Sequence, residues 1–224
     1  MKIFITGYAN SGTTLFRRLF YAFEDLQVID GQTSLSVFCN RQRYMKRHIV
    51  AKRDGKDIFS GRLPQKDVAG QLALIKRHNI NIVNIIRDGR DAILSVRPLN
   101  LSMKNWNTAI NQYFKYKNII SVNVRYEDLV RNHDAVQMRL AKVLGLKMKH
   151  KFSHFPSFVP NRVRPSGSAT GPTKLRPIDC KSVGKVRVAF GKYIQLPKVK
   201  KLYRTIPEST QFRRNLVRLG YIKG

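Results

Sequence analysis

The 224-residue chain is 42% apolar and 25% charged, enough apolar side chain to close one core and too much for a disordered composition. No apolar run approaches the roughly 20 residues that cross a bilayer, and Cys39 and Cys180 lack metal-ligand spacing. Lys and Arg number 43 against 13 Asp and Glu, a net charge of +30, and from Ala135 onward there are 21 basic residues and only two acids, Asp179 and Glu208. Such a field draws polyanions (nucleic acid, acidic polysaccharide, an anionic lipid surface or a multiply charged nucleotide) without choosing among them.

Met1 leads straight into an apolar run, Ile3 to Ile5. No signal or transit segment is therefore expected, and the two thiols are expected reduced in a cytoplasmic protein, or one held at an anionic membrane surface. A glycine loop, Gly7 to Gly12, precedes an amphipathic helix carrying Leu15, Phe16, Leu19, Phe20 and Phe23. Leu26 to Ile29 reads as a second strand ending at Asp30-Gly31, and Ser34 to Ala51 as a polar, arginine-rich helical stretch. Arg53 to Lys56 is a turn, Ile58 to Pro64 a short extended piece, and Gln65 to His78 a helix with Val68, Leu72 and Ile75 on one face.

Ile80 to Ile86, apolar and rich in β-branched residues, is the clearest strand, and it runs into a loop and helix over Arg87 to Ser95. Met103 to Lys117 reads as a helix, Ile119 to Val124 as a strand, and Asp134 to Leu144 as a helix closed by Gly145. Residues 151–185, with Pro156, Pro160, Pro165, Pro172 and Pro177, form a long loop, and residues 186–224 form basic helices. Strands alternating with helices predict an α/β fold: a doubly wound, mostly parallel sheet flanked by helices, in one domain over 1–224. The glycine loop, Asp30, Arg87 and Tyr126 each follow a strand, so all four are expected to meet at the carboxyl edge of the sheet, where such folds bind ligands.

The strand–glycine loop–helix unit turns successive backbone N–H groups toward one point at a helix start, which makes an anion site. The spacing Gly7-x-x-x-x-Gly12 matches the P-loop of nucleotide triphosphatases until the next position, where Thr13 stands in place of the lysine that reaches the β and γ phosphates. Thr14 still matches the hydroxyl residue that follows.

Four segments, in order, resemble the sulfotransferase family that uses 3′-phosphoadenosine 5′-phosphosulfate (PAPS). Ser11-Gly12-Thr13-Thr14 looks like the 5′-phosphosulfate loop. Arg87 and Ser95, eight positions apart, look like the 3′-phosphate motif. Val124-Arg-Tyr126-Glu-Asp-Leu129 looks like the segment whose tyrosine lies near adenine. Arg176-Pro-Ile and Ser182-Val-Gly184-Lys185 resemble the loop that closes over the nucleotide. The ending Arg218-Leu-Gly-Tyr221 is also similar to bacterial members.

The resemblance implies a P-loop-like sulfotransferase fold and donor contacts from Ala9, Asn10, Ser11, Gly12, Thr13, Thr14, Leu15, Arg87, Ser95, Tyr126, Arg176, Ser182, Gly184 and Lys185. It implies PAPS as donor, no metal, and transfer to a hydroxyl or amine of an acceptor, with an acidic saccharide or glycolipid suiting the basic surface and no specific nucleic acid expected. One departure is Asn10, where the family carries Lys or Arg to neutralise the leaving phosphate oxygen. Arg62, in a Gly-Arg-Leu-Pro stretch resembling the family's Lys-Thr-Pro, is the expected compensating cation, whereas Arg17 and Arg18 read as solvent-facing. For the general base, Asp30 stands where tyrosylprotein-type members carry a glutamate, with His48 and His78 as rivals.

Two other functions fit some of the pattern. A P-loop small-molecule kinase would want Lys at position 13 and a magnesium-binding Asp. A catalytically weakened member of the fold, holding nucleic acid or another polyanion by charge, would leave the Arg87–Ser95 pair without a role.

Overall fold

The structure, a computed structural model, describes residues 1–40, 46–52, 57–94, 99–160, 178 and 210–223. At its centre is a five-stranded sheet in the order β2-β3-β1-β4-β5, with every neighbouring pair parallel. The strands are β1 (Lys2–Gly7), β2 (Leu26–Val28), β3 (His48–Lys52), β4 (Ile80–Ile86) and β5 (Ile120–Arg125). The strand order reverses at β1, with β3 on one side and β4 on the other, so the switch point lies at the glycine loop.

The helices are α1 (Thr13–Leu19), α2 (Leu35–Asn40), α3 (Gln65–Arg77), α4 (Gly89–Leu94), α5 (Leu99–Lys115), α6 (Tyr126–Arg131), α7 (His133–Leu144) and α8 (Thr210–Arg218). They make the chain α/β, with helices flanking the sheet. Alternation along β1 divides the core. Ile3 and Ile5 join Phe16 and Leu19 of α1 and Leu140 of α7, while Phe4 joins Phe38 of α2 and Val68 and Ile75 of α3. A third cluster lies near the sheet's carboxyl edge, where Trp106 of α5 meets Tyr8, Ile86, and Phe212 and Leu216 of α8.

Three local expectations are corrected. Ser34 to Ala51 is not one helical stretch: it holds α2 and then β3. Ile49, Val50 and Ala51 are buried between β1 and β2; a short apolar run flanked by charged residues is hard to tell from a helix segment by periodicity. Ile58 to Ser60 is a 3₁₀ turn rather than an extended piece, capped by the Asp57 side chain, which accepts from the Phe59 amide at 2.9 Å. Arg17 is not solvent-facing: it is fully buried on the inner side of α1.

The turn ends at Gly61, whose φ is +71° and where a Cβ would lie 1.8 Å from the Asn105 carbonyl oxygen of α5. Gly61→Ala should therefore destabilise the protein by about 2–4 kcal/mol through backbone strain and overlap. Gly70→Ala, in the open, exposed middle of α3, should be neutral or stabilise by up to about 1 kcal/mol. Urea unfolding checks both, read as a midpoint shift at constant slope.

Candidate functional site

The glycine loop is shaped by three left-handed residues, Gly7 (φ +147°), Asn10 (φ +60°) and Gly12 (φ +93°). A side chain on Gly7 would meet the Ile85 carbonyl oxygen at 2.3 Å, and one on Gly12 would meet the Tyr126 ring at 2.5 Å. Both glycines are thus needed for the loop to sit against β4 and the end of β5. Asn10 is exposed, and asparagine tolerates the left-handed backbone that the loop imposes there. The Ser11 amide donates to the Tyr8 carbonyl at 3.2 Å. Its hydroxyl is buried and lacks a hydrogen-bond partner among the described residues, facing a cavity that Asn84, Arg87 and Trp106 also line. The first intrahelical bond of α1 runs from the Phe16 amide to the Gly12 carbonyl at 3.0 Å, so the amides of residues 13–15 have no acceptor within the helix.

Cations approach from three strand ends. Lys52, the last residue of β3, is only 5% exposed, and its ammonium donates to Thr14 Oγ1 at 2.9 Å. Arg87 follows β4. Its guanidinium donates to the Asn10 carbonyl at 3.1 Å, pairs with Asp91 at 3.5 Å, and lies 4.6 Å from the centre of the Tyr126 ring. Arg17 reaches from α1 to the end of β2, donating to the Ile29 carbonyl at 2.7 Å and pairing with Asp30 at 3.0 Å.

Burial lowers the pKa of Arg17, and the Asp30 carboxylate opposes that shift. Asp30 is half exposed, with the Tyr21 hydroxyl 3.5 Å from both of its oxygens. Burial, and then the Asp30 charge, push the Tyr21 hydroxyl up to about 12.

Behind this row, Glu127 is 7% exposed. It accepts from the Asp88 amide at 2.9 Å and from the Tyr221 hydroxyl at 2.9 Å.

No protein-family model and no curated protein sequence matches the chain. Solved structures do. The sulfotransferase domain of the Synechococcus PCC 7002 olefin synthase aligns with a TM-score of 0.59 at 16% identity, over 91% of this chain and 93% of that one. The sulfotransferase domain from the curacin biosynthetic pathway gives 0.56 at 13% identity, over 99% and 98%. Mouse sulfotransferase SULT7A1, solved with PAP, gives 0.55 at 16% identity, over 96% and 87%. This chain has the sulfotransferase fold.

Within that fold, the described portion of the expected donor site is contiguous. The loop from Ala9 to Leu15, Arg87 and Tyr126 share one end of the sheet, joined by the contacts of Asn10, Gly12 and Arg87. Tyr126 is 7% exposed and belongs to the core; it touches Gly12 and Arg87 from beneath. Ser95, Arg176, Ser182, Gly184 and Lys185 lie outside the described residues. Arg62 is exposed, and its described contact is an amide donating to Ser60 Oγ.

A buried cation in contact with the glycine loop is Lys52, which sequence reading missed because it lies just beyond a supposed helical stretch. Its only signal was a basic residue directly after the Ile49-Val50-Ala51 run. Of the rival bases, His48 begins β3 and His78 ends α3 just before β4. Both therefore stand at the amino edge of the sheet, away from the loop.

Lys52→Met should weaken binding of inorganic pyrophosphate about ten- to hundredfold, the worth of one charge-assisted hydrogen bond. Lys66→Met, on the exposed first turn of α3, should leave it unchanged. Calorimetric titration separates the two.

Proposed function

We propose that the chain transfers a sulfuryl group from PAPS to a hydroxyl or amine of an acceptor, releasing 3′,5′-ADP, with a saccharide or glycolipid as the acceptor class that its basic surface favours. The observation that carries this reading is the glycine loop held between Lys52 on Thr14 and Arg87 on the Asn10 carbonyl, with Thr13 where a nucleotide triphosphatase has its lysine. Mouse SULT7A1, of the same fold, was solved with PAP, which is the expected product.

The residues present suit such a donor. The loop offers amides, the Thr13 and Thr14 hydroxyls, and the buried Ser11 hydroxyl, which lacks a partner among the described residues. Lys52 supplies the charge that Asn10 does not, at the point where a leaving phosphate oxygen would gather negative charge. Arg87 would hold the 3′-phosphate, with Ser95, Arg176 and Lys185 completing that clamp and Ser182 and Gly184 closing over the nucleotide. When bound, the donor supplies a sulfuryl group on a good leaving group, so the protein's tasks are to orient the acceptor oxygen, take its proton and neutralise the departing charge. Asp30, oriented by Arg17 at the end of β2 and half open to solvent, is the general base in this reading. Asn10 and Arg62 are exposed and lack the buried, charged contact that Lys52 makes. The chemistry requires no metal, and the chain is read as cytoplasmic or resting on an anionic membrane surface.

Calorimetric titration with 3′,5′-ADP and with ATP, each with and without magnesium, tests the reading. Binding of 3′,5′-ADP without metal, weakened at least about tenfold in Arg87→Ala (about 1.4 kcal/mol), is expected. Binding of Mg-ATP alone would return the site to a kinase. Salt-sensitive DNA binding with no 3′,5′-ADP affinity would point to a polyanion-binding protein. In the same assay Asp30→Asn should keep nucleotide affinity, while its transfer rate falls by about 10²–10⁴, the usual worth of a general base; near-normal transfer would place the base elsewhere.

A further inference from the structure

The carboxyl-terminal segment reaches into the candidate donor site through contacts that the reading above does not use. α8 is seated by Phe212 and Leu216 against Trp106 and by the buried Asn215, whose amide donates to Asn107 Oδ1 at 3.1 Å. Trp106 in turn lies against Gly89, where any side chain would overlap its ring at 2.6 Å. After α8, Gly220 takes a left-handed conformation (φ +71°), and the Tyr221 amide donates back to the Leu216 carbonyl at 2.9 Å. This helix-ending turn sends the Tyr221 side chain inward.

Tyr221 then bridges the loop after β4 and the first turn of α6. Its hydroxyl donates to Glu127 Oε2 at 2.9 Å, and Glu127 Oε1 accepts from the Asp88 amide at 2.9 Å. Its carbonyl accepts from Arg90 at 3.3 Å, while Arg90 also pairs with the Asp88 carboxylate at 2.6 Å. Arg125 lies over its ring, 4.4 Å from the centre. Burial, and then the Glu127 charge, push the Tyr221 hydroxyl well above the ordinary tyrosine value, so it remains a donor. Asp88 is the immediate neighbour of Arg87, so this network fixes the backbone from which Arg87 extends to the Asn10 carbonyl.

We propose that the last turn of the chain is a latch on the Arg87 loop, with Tyr221 as a positioning residue that acts through Glu127 and Asp88 to hold Arg87 in place for the 3′-phosphate of the nucleotide. The proposal rests on the donor-site reading above. Tyr221 touches no reacting atom; it sets the geometry of a residue that binds. A purely structural tether would affect all nucleotides equally, whereas the latch affects the 3′-phosphate alone.

The test compares 3′,5′-ADP with 5′-AMP, which lacks the 3′-phosphate, by calorimetry on wild type, Tyr221→Phe and Glu127→Gln. The first variant removes only the hydroxyl and the second keeps the volume of the acid. Either folded variant should lose affinity for 3′,5′-ADP about five- to tenfold, with 5′-AMP held within about twofold, the size expected for one loosened positioning contact. Hydrogen exchange at the Asp88 amide, read without ligand, should quicken by about tenfold in Tyr221→Phe as its bond to Glu127 loosens. Equal weakening of both nucleotides, unchanged 3′,5′-ADP affinity, or unchanged exchange at Asp88 overturns the latch. Wild type that binds neither nucleotide overturns the donor-site reading, and the latch's role with it.

Discussion

The Tyr126 ring occupies the space that a side chain on Gly12 would need, and the geometry at this edge of the sheet follows from that contact. It lets the glycine loop settle onto the end of β5, brings Arg87 over the ring as well, and puts the Asn10 carbonyl within reach of the Arg87 guanidinium. Gly7 has the same role at the start of the loop, against the Ile85 carbonyl of β4. Close-packed interiors transmit such contacts rigidly, so three consecutive strand ends in the sheet, β1, β4 and β5, are held as one unit.

Charge at the site is arranged by position more than by number. A net charge of +30 surrounds the chain with a diffuse field that steers polyanions but specifies none. Three cations are different because burial removes their water: Arg17 and Lys52 are almost wholly buried, and the Arg87 side chain is 11% exposed. A buried cation is costly unless oxygen atoms replace its hydration. Each has one at close range: Ile29 and Asp30 for Arg17, Thr14 for Lys52, Asn10 and Asp91 for Arg87. The outcome is positive charge on both sides of the loop, although the loop itself carries none at Asn10.

The same edge ties together segments far apart in sequence. Glu127 joins the loop after β4 to the end of the chain, and Trp106 joins α4, α5 and α8. The helical cluster at the carboxyl edge therefore supports the site as well as closing the core.

The sequence alone determined the alternation of strands and helices, hence the parallel α/β sheet, because burial on both faces writes continuous apolar runs such as Ile80 to Ile86. It also identified the loop from Gly7 to Thr14, since left-handed turns demand glycine, and it picked out Arg87 and Tyr126 from their places after strands. It hid β3, because a five-residue strand bounded by His48 and Lys52 has too few positions to show a period, and with β3 it hid Lys52. It also misjudged Arg17, which is fully buried, because a basic residue reads as solvent-facing in sequence. Only the tertiary structure decided which cations lose their water, by stacking α1 on the sheet and ending β3 beside Thr14. The pairing of Tyr221 with Glu127 belongs to the same class: two residues 94 apart in sequence leave no periodic trace, and their contact exists only once α8 has packed against Trp106.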